Sequence, residues 1–215
     1  MARYSATGGS DFTPVPAGAH VAVCTMVADI GIQPSQFYEP KRKVVFRFEL
    51  PNERTEYTDK DGNKRSGPMV VYDTLTASMN GKANLRAMLE GWRGRKFTDA
   101  EAGDFDTRSV LGKACMLSIV HNEKGEKTYA NIAAVMPLPK GTNAPEPENE
   151  PLYYDEEDVK SYDKLPEWVR KKISEQVAAP TKDSVDDHLE QEAASRGAFH
   201  DDPIPFAPLT KRHWV

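Results

Sequence analysis

Arg42-Lys43-Val44-Val45-Phe46-Arg47-Phe48-Glu49-Leu50 is the stretch on which the fold turns. Val44, Phe46, Phe48 and Leu50 fall on one side of an extended chain, while Lys43, Arg47 and Glu49 take the other. Alternation of this kind marks a strand with one face on a core. Upstream, Ala19 to Ile30 is rich in Val and Ala between Gly18 and Gly31, and reads as a first strand. Downstream, Asn52 to Gly67 is a long polar excursion with a turn signal at Asp61-Gly62-Asn63. Met69 to Thr76 reads as a third strand.

From Asn80 to Trp92 the period changes: Leu85, Met88, Leu89 and Trp92 form a helical stripe. Thr98-Asp99-Ala100-Glu101 is a capping box for a second short helix. Lys113 to His121 and Thr128 to Met136 are two further strands, turning at Lys124-Gly125. Three strands, a helical insert and a final hairpin is the element order of an OB-fold, a small, partly open Greek-key barrel. The expected architecture is therefore mainly β. It consists of a five-stranded OB-fold barrel over residues 18–140, with the helical insert between strands 3 and 4, after a flexible arm at 1–17.

Beyond Pro137-Leu138-Pro139-Lys140-Gly141 the composition changes. Residues 1–140 hold 19 Lys+Arg against 16 Asp+Glu, whereas residues 141–215 hold 9 against 17, so a net of −5 divides into +3 and −8. A segment this acidic and poor in apolar residues cannot bury a core, so 141–215 is expected to be a largely disordered tail. One island interrupts it. Leu165, Trp168, Val169 and Ile173 lie at helical spacing behind Pro166, which predicts a short amphipathic helix over 165–175. Cys24 and Cys115 have neither metal nor redox spacing, which excludes a disulfide scaffold. No apolar run is long enough to cross a bilayer. A cytoplasmic protein is expected.

Catalytic signals are weak. The five histidines do not cluster at ligand spacing, and neither a phosphate loop nor a nucleophile elbow occurs. Asp29 with Glu39-Pro40-Lys41 has the outline of a metal-dependent nuclease motif, but Pro40 fits poorly in a central strand. The expectation is a non-enzyme without metal or cofactor. Basic and aromatic residues interleave better. Gly91-Trp92-Arg93-Gly94-Arg95-Lys96-Phe97 sets cations beside rings, as single-strand binders require for phosphates and bases. Trp92, at the end of the helical stripe, is expected in the core, and Arg93, Arg95 and Lys96 on DNA. Lys41, Lys43 and Arg47 are expected to point outward from strand 2, on the face OB-folds use for ligands. Arg54, Lys64 and Arg65 would flank that groove, with Tyr57 available for stacking. Tyr72 and Tyr129 can be core or platform.

Asp201-Asp202-Pro203-Ile204-Pro205-Phe206 resembles the acidic, Pro-Phe tip of bacterial single-stranded DNA-binding proteins. In that family the tip docks into basic-rimmed apolar pockets on replication and repair partners. There the Phe is the final residue, whereas here Ala207 to Val215 follows. Leu85-x-x-x-Leu89-x-x-Trp92-Arg93-Gly94-Arg95-x-Phe97-Thr98, Leu111-Gly112-Lys113 and Tyr129-x-Asn131-Ile132 resemble a group of phage and prophage OB-fold single-stranded DNA-binding proteins. The resemblance implies a non-catalytic protein of replication or recombination that holds single-stranded DNA without sequence preference and recruits partners through residues 199–206. A homodimer is compatible with it. The alternatives are a mediator or annealing protein on the same fold, the nuclease, or an adaptor whose barrel never meets DNA.

Overall fold

The computed structural model describes residues 13–36, 38–58, 62–125 and 127–178. The described residues up to Ala178 form one compact unit, and residues 179–215 lie outside the described residues. The partner-binding tip expected at 199–206 therefore lies outside them too.

The first unit is a curled half-barrel in which β1 (Gly18–Gln33) is the hub. Its first part, Gly18 to Val23, pairs antiparallel with β4 (Ala114–Lys124). From Val23 to Gln33 it pairs on its other edge with β2 (Lys41–Thr58), which pairs with β3 (Lys64–Thr76). β5 (Lys127–Met136) completes the order β3-β2-β1-β4-β5. Bulges between Cys24 and Met26 and between Asp29 and Ile32 bend β1, which is how one strand serves two neighbours around a curl. Gly31 stands in the second bulge with φ +69°, a left-handed backbone that a side chain would strain.

The insert between β3 and β4 holds α1 (Asn84–Arg93) and α2 (Asp99–Gly103). α1 sets Leu85, Leu89 and Trp92 into the barrel, where Trp92 meets Phe48 with ring centroids 5.5 Å apart. Gly91 allows this approach, since a Cβ there would lie 2.7 Å from the Val135 carbonyl oxygen of β5. The capping box starts α2 as expected: Thr98 accepts from the Glu101 N–H, and Glu101 accepts from the Thr98 N–H. Phe46, Phe48, Leu50, Cys115, Leu117 and Ile119 fill the interior.

Two expected boundaries are corrected. Val15 of the supposed arm is buried in the barrel core, and its carbonyl oxygen lies 2.7 Å from His121 Nε2, so the chain is fixed before Gly18. More consequentially, the fold does not end at 140. β6 (Leu152–Tyr154) pairs parallel with β1 at Met26 to Ala28, taking the edge that β4 leaves vacant. A 3-10 turn (Val159–Lys164) and α3 (Glu167–Ser174) follow. Leu152, Tyr154, Leu165, Val169 and Ile173 bury Met26, Ala28, Ile30 and Val45 in a second core on the outside of the sheet. The acidic stretch folds because the sheet offers it an apolar face. Among the described residues no helix is long and apolar enough to cross a membrane.

Candidate nucleic-acid interface

The outer face of β2 and β3, the usual ligand surface of this architecture, is largely covered by the returning chain. Glu49 is fully buried, and its carboxylate accepts from the Glu148 N–H at 2.7 Å and from the Asn149 N–H and Nδ2 at 2.9 and 2.6 Å. Arg47 does leave β2 on that outer face but does not reach solvent, a correction to its expected role. Its Nε donates to Thr25 Oγ1 at 2.8 Å, and its Nη2 donates to the carbonyls of Thr25 and Glu150. Charged residues on a covered face persist when every polar atom finds a partner. These two hold the strand to the strap, the returning chain that runs through Glu148, Asn149 and Glu150 into β6.

The other expected cations divide by location. Lys41 is exposed at the start of β2, and Lys43 donates to Thr76 Oγ1 at 2.8 Å. Arg54 is paired with Glu148 of the strap and donates to the Ser66 carbonyl. Lys64, Arg65 and Tyr57 lie exposed on the outer part of the β2–β3 hairpin. Tyr57 stands opposite Arg65 in the pairing register, and its ring lies over Gly67. The β4–β5 hairpin carries Tyr129, also half exposed. Since β2 and β4 both run antiparallel to β1, both hairpins leave the barrel at the Gly18 end.

The basic run at the end of α1 meets one acid, Glu101, and Arg95 stays exposed beside it. Arg93 and Arg95 share Glu101, at 3.1 and 2.7 Å, and the Arg93 guanidinium sits 4.1 Å from the centre of the Phe97 ring. Arg95, the Thr98 N–H and Arg93 together pull the Glu101 carboxyl down to about 2. Lys96 remains exposed. Trp92 is buried and donates from Nε1 to the Ala114 carbonyl at 3.1 Å, so its ring serves the core. Arg93 and Trp92 also line an apolar cavity of about 370 Å³ with Phe97, Phe105, Lys113 and Leu138.

Tyr72 is a half-buried member of the β3 outer face, packed edge-on against Trp168 of α3 at 5.2 Å. Trp168 was legible as part of an apolar stripe, but its partial exposure was not. Asp29, the first residue of the nuclease outline, accepts from Arg42 Nε at 2.7 Å and from the Gly31 N–H at 2.9 Å. Among the described residues no three His, Cys, Asp or Glu side chains gather as a metal site. Cys24 and Cys115 are buried and free, and burial pushes the Cys24 thiol up to about 12.

Sequence reading missed the residues that fix the strap: Glu49, Thr25, Asn149 and Glu150. The available signal was Val45, an apolar residue among the outward-facing positions of β2, together with Met26, Ala28 and Ile30 on the outer side of β1. Comparison with protein-family models finds no match, and comparison with curated proteins finds none either.

Proposed function

We propose that this protein is a non-catalytic single-stranded DNA-binding protein of phage replication or recombination. The observation that supports this reading is the exposed arm of the β2–β3 hairpin, where Tyr57 stands opposite Arg65 beside Lys64 on an OB-like curled sheet. Exposed rings stack on bases of any identity, while neighbouring cations follow the phosphates, which gives affinity without sequence preference. The β4–β5 hairpin leaves the barrel at the same end and carries a further half-exposed ring, Tyr129. Recruitment of replication or recombination enzymes belongs to Asp201 to Phe206, outside the described residues, where two carboxylates precede Ile204 and Phe206.

Titration of labelled oligo-dT at several salt concentrations tests the reading. Binding should weaken linearly in log–log form, and replacing Lys64 and Arg65 with Ala should reduce the slope by about 0.7 for each phosphate no longer neutralised. Absence of salt-dependent binding would leave an adaptor, and magnesium-dependent degradation of the oligonucleotide would leave a nuclease.

A further inference from the structure

We propose that α3 carries a second single-strand contact, a stacking platform made by Trp168 and Tyr72 with Lys171 and Lys172 beside it. The proposal rests on the reading of the protein as a single-strand binder and names a site within it.

Trp168 is 41% exposed, although it belongs to a helix whose attachment is already complete. Val169 and Ile173 turn into the second core, with Leu165 just before the helix, and all three are buried. Trp168 is thus not needed to close that core. Its described ring contact is the edge-to-face meeting with Tyr72, at an interplanar angle of 88°. The pairing steadies the indole while much of its surface remains in water. A large ring held in one orientation and left wet is the arrangement on which a base stacks at little cost in side-chain freedom.

The surroundings supply the charge. Trp168, Lys171 and Lys172 stand at positions i, i+3 and i+4, so they share one side of the helix, and all three are exposed. Both lysines face Glu175, at 3.9 and 2.9 Å. Exposed pairs of this kind hold weakly and yield to a phosphate. Within a segment of net −8, the helix has three cations, Arg170, Lys171 and Lys172, against Glu167 and, at its C-cap, Glu175. Its charge suits a polyanion, where its neighbours' does not.

The position also fits. The strap and α3 cover the β2 side of the outer face, while Thr74 of β3 is exposed next to Tyr72 along the strand. β3 runs without a break from Tyr72 to Lys64, eight residues or about 26 Å, an even step that leaves both on one face of the strand, so the platform and this cation of the hairpin arm share one strand as a track. The returning chain therefore substitutes its own ring and cations for the strand face it covers.

The test uses the full chain and oligo-dT, comparing Trp168→Ala, Trp168→Phe and the double variant Lys171→Ala/Lys172→Ala. Trp168→Ala should weaken binding about fivefold to a hundredfold. Trp168→Phe should keep most of the affinity but lose the tryptophan fluorescence quench that stacking produces. The lysine pair, whose described partner is Glu175, should lower the salt slope by about 0.7 for each phosphate it neutralises in the parent. If the parent binds oligo-dT but all three variants match it in affinity, slope and quench, the platform is wrong and the general reading survives. If the parent shows no binding, both fail together. Loss of a protein partner in Trp168→Ala, with DNA binding unchanged, would reassign the surface to that partner and overturn the proposal.

Discussion

Glu49 and Asn149, one hundred residues apart, are joined by two hydrogen bonds, Asn149 donating from both its backbone N–H and its Nδ2 to one carboxylate oxygen. The other oxygen accepts from the Glu148 N–H. A buried carboxylate with three donors is an anchor that tolerates no partial replacement. Glu49→Gln sets an amide NH₂ against donors, and Glu49→Ala leaves those donors without an acceptor. Each buried group left unpaired costs about 1–3 kcal/mol. Urea denaturation should show Glu49→Ala less stable by about 3 kcal/mol or more, with Glu49→Gln also destabilised. A change within about 0.5 kcal/mol, the range of an ordinary surface substitution, would mean that the strap is not held there.

Truncation separates the parts of the C-terminal half. A chain ending at Ala178 keeps β6 and α3, and should melt cooperatively close to the full-length temperature. A chain ending at Lys140 uncovers Met26, Ala28, Ile30 and Val45, and loses Leu152, Leu165, Val169 and Ile173, each worth about 1.5–3 kcal/mol when fully buried. It should be poorly soluble or expose apolar surface to a hydrophobic dye. If the chain ending at Lys140 instead melts like the longer one, the outer core contributes nothing to stability.

Acid should reach the helical insert through Glu101. Its native pKa of about 2 lies below the value of about 4.3 for a free glutamate, so the contacts with Arg95, Thr98 and Arg93 favour the fold above that range. That contribution fades as the pH falls from about 4.3 to about 2. The hydrogen bond from the Phe97 N–H and the contact with Arg86 lower Glu90 in the same direction. Melting temperature measured between pH 6 and pH 2 should therefore fall less steeply in Glu101→Gln than in the parent, from a lower neutral starting point. Parallel curves would remove Glu101 from the acid response.

The barrel was legible because its strands and helix obey simple periods. The alternation from Val44 to Leu50, the stripe from Leu85 to Trp92 and the Thr98–Glu101 cap are local signals, and each stands where the structure has it. The outer core as a whole was not legible, because it depends on pairing over a hundred residues. The α3 part of it was announced by the spacing of Leu165, Trp168, Val169 and Ile173, but Leu152 and Tyr154 are too sparse in their own acidic segment to announce a strand, and become one only against Met26 and Val45. Arg47 was misread for the same reason. By parity it points outward, and only the strap makes that side an interior. Tyr57 and Lys64 were legible as exposed because the hairpin they occupy has no apolar partner positions.

Trp92 and Tyr57 should respond in opposite ways to the same substitution. Trp92 is 8% exposed, packs on Phe48 and donates to the Ala114 carbonyl, so Trp92→Ala opens a cavity and leaves an acceptor without its donor. The loss should be about 3–5 kcal/mol in urea denaturation, a large share of a small domain's stability. At temperatures where the variant stays folded, its affinity for oligo-dT should be close to the parent's, since the ring is turned away from solvent. Tyr57, half exposed on the hairpin arm, has little to lose on folding beyond its contact with Gly67. Tyr57→Ala should keep stability within about 0.5 kcal/mol of the parent, as surface changes do. It should weaken single-strand binding by about 1–3 kcal/mol, the value of one stacked base. Tyr57→Phe distinguishes ring from hydroxyl and should restore most of the affinity. Normal folding with lost DNA binding in Trp92→Ala, together with unchanged binding in Tyr57→Ala, would move the DNA from the hairpin arm to the apolar cavity beside α1.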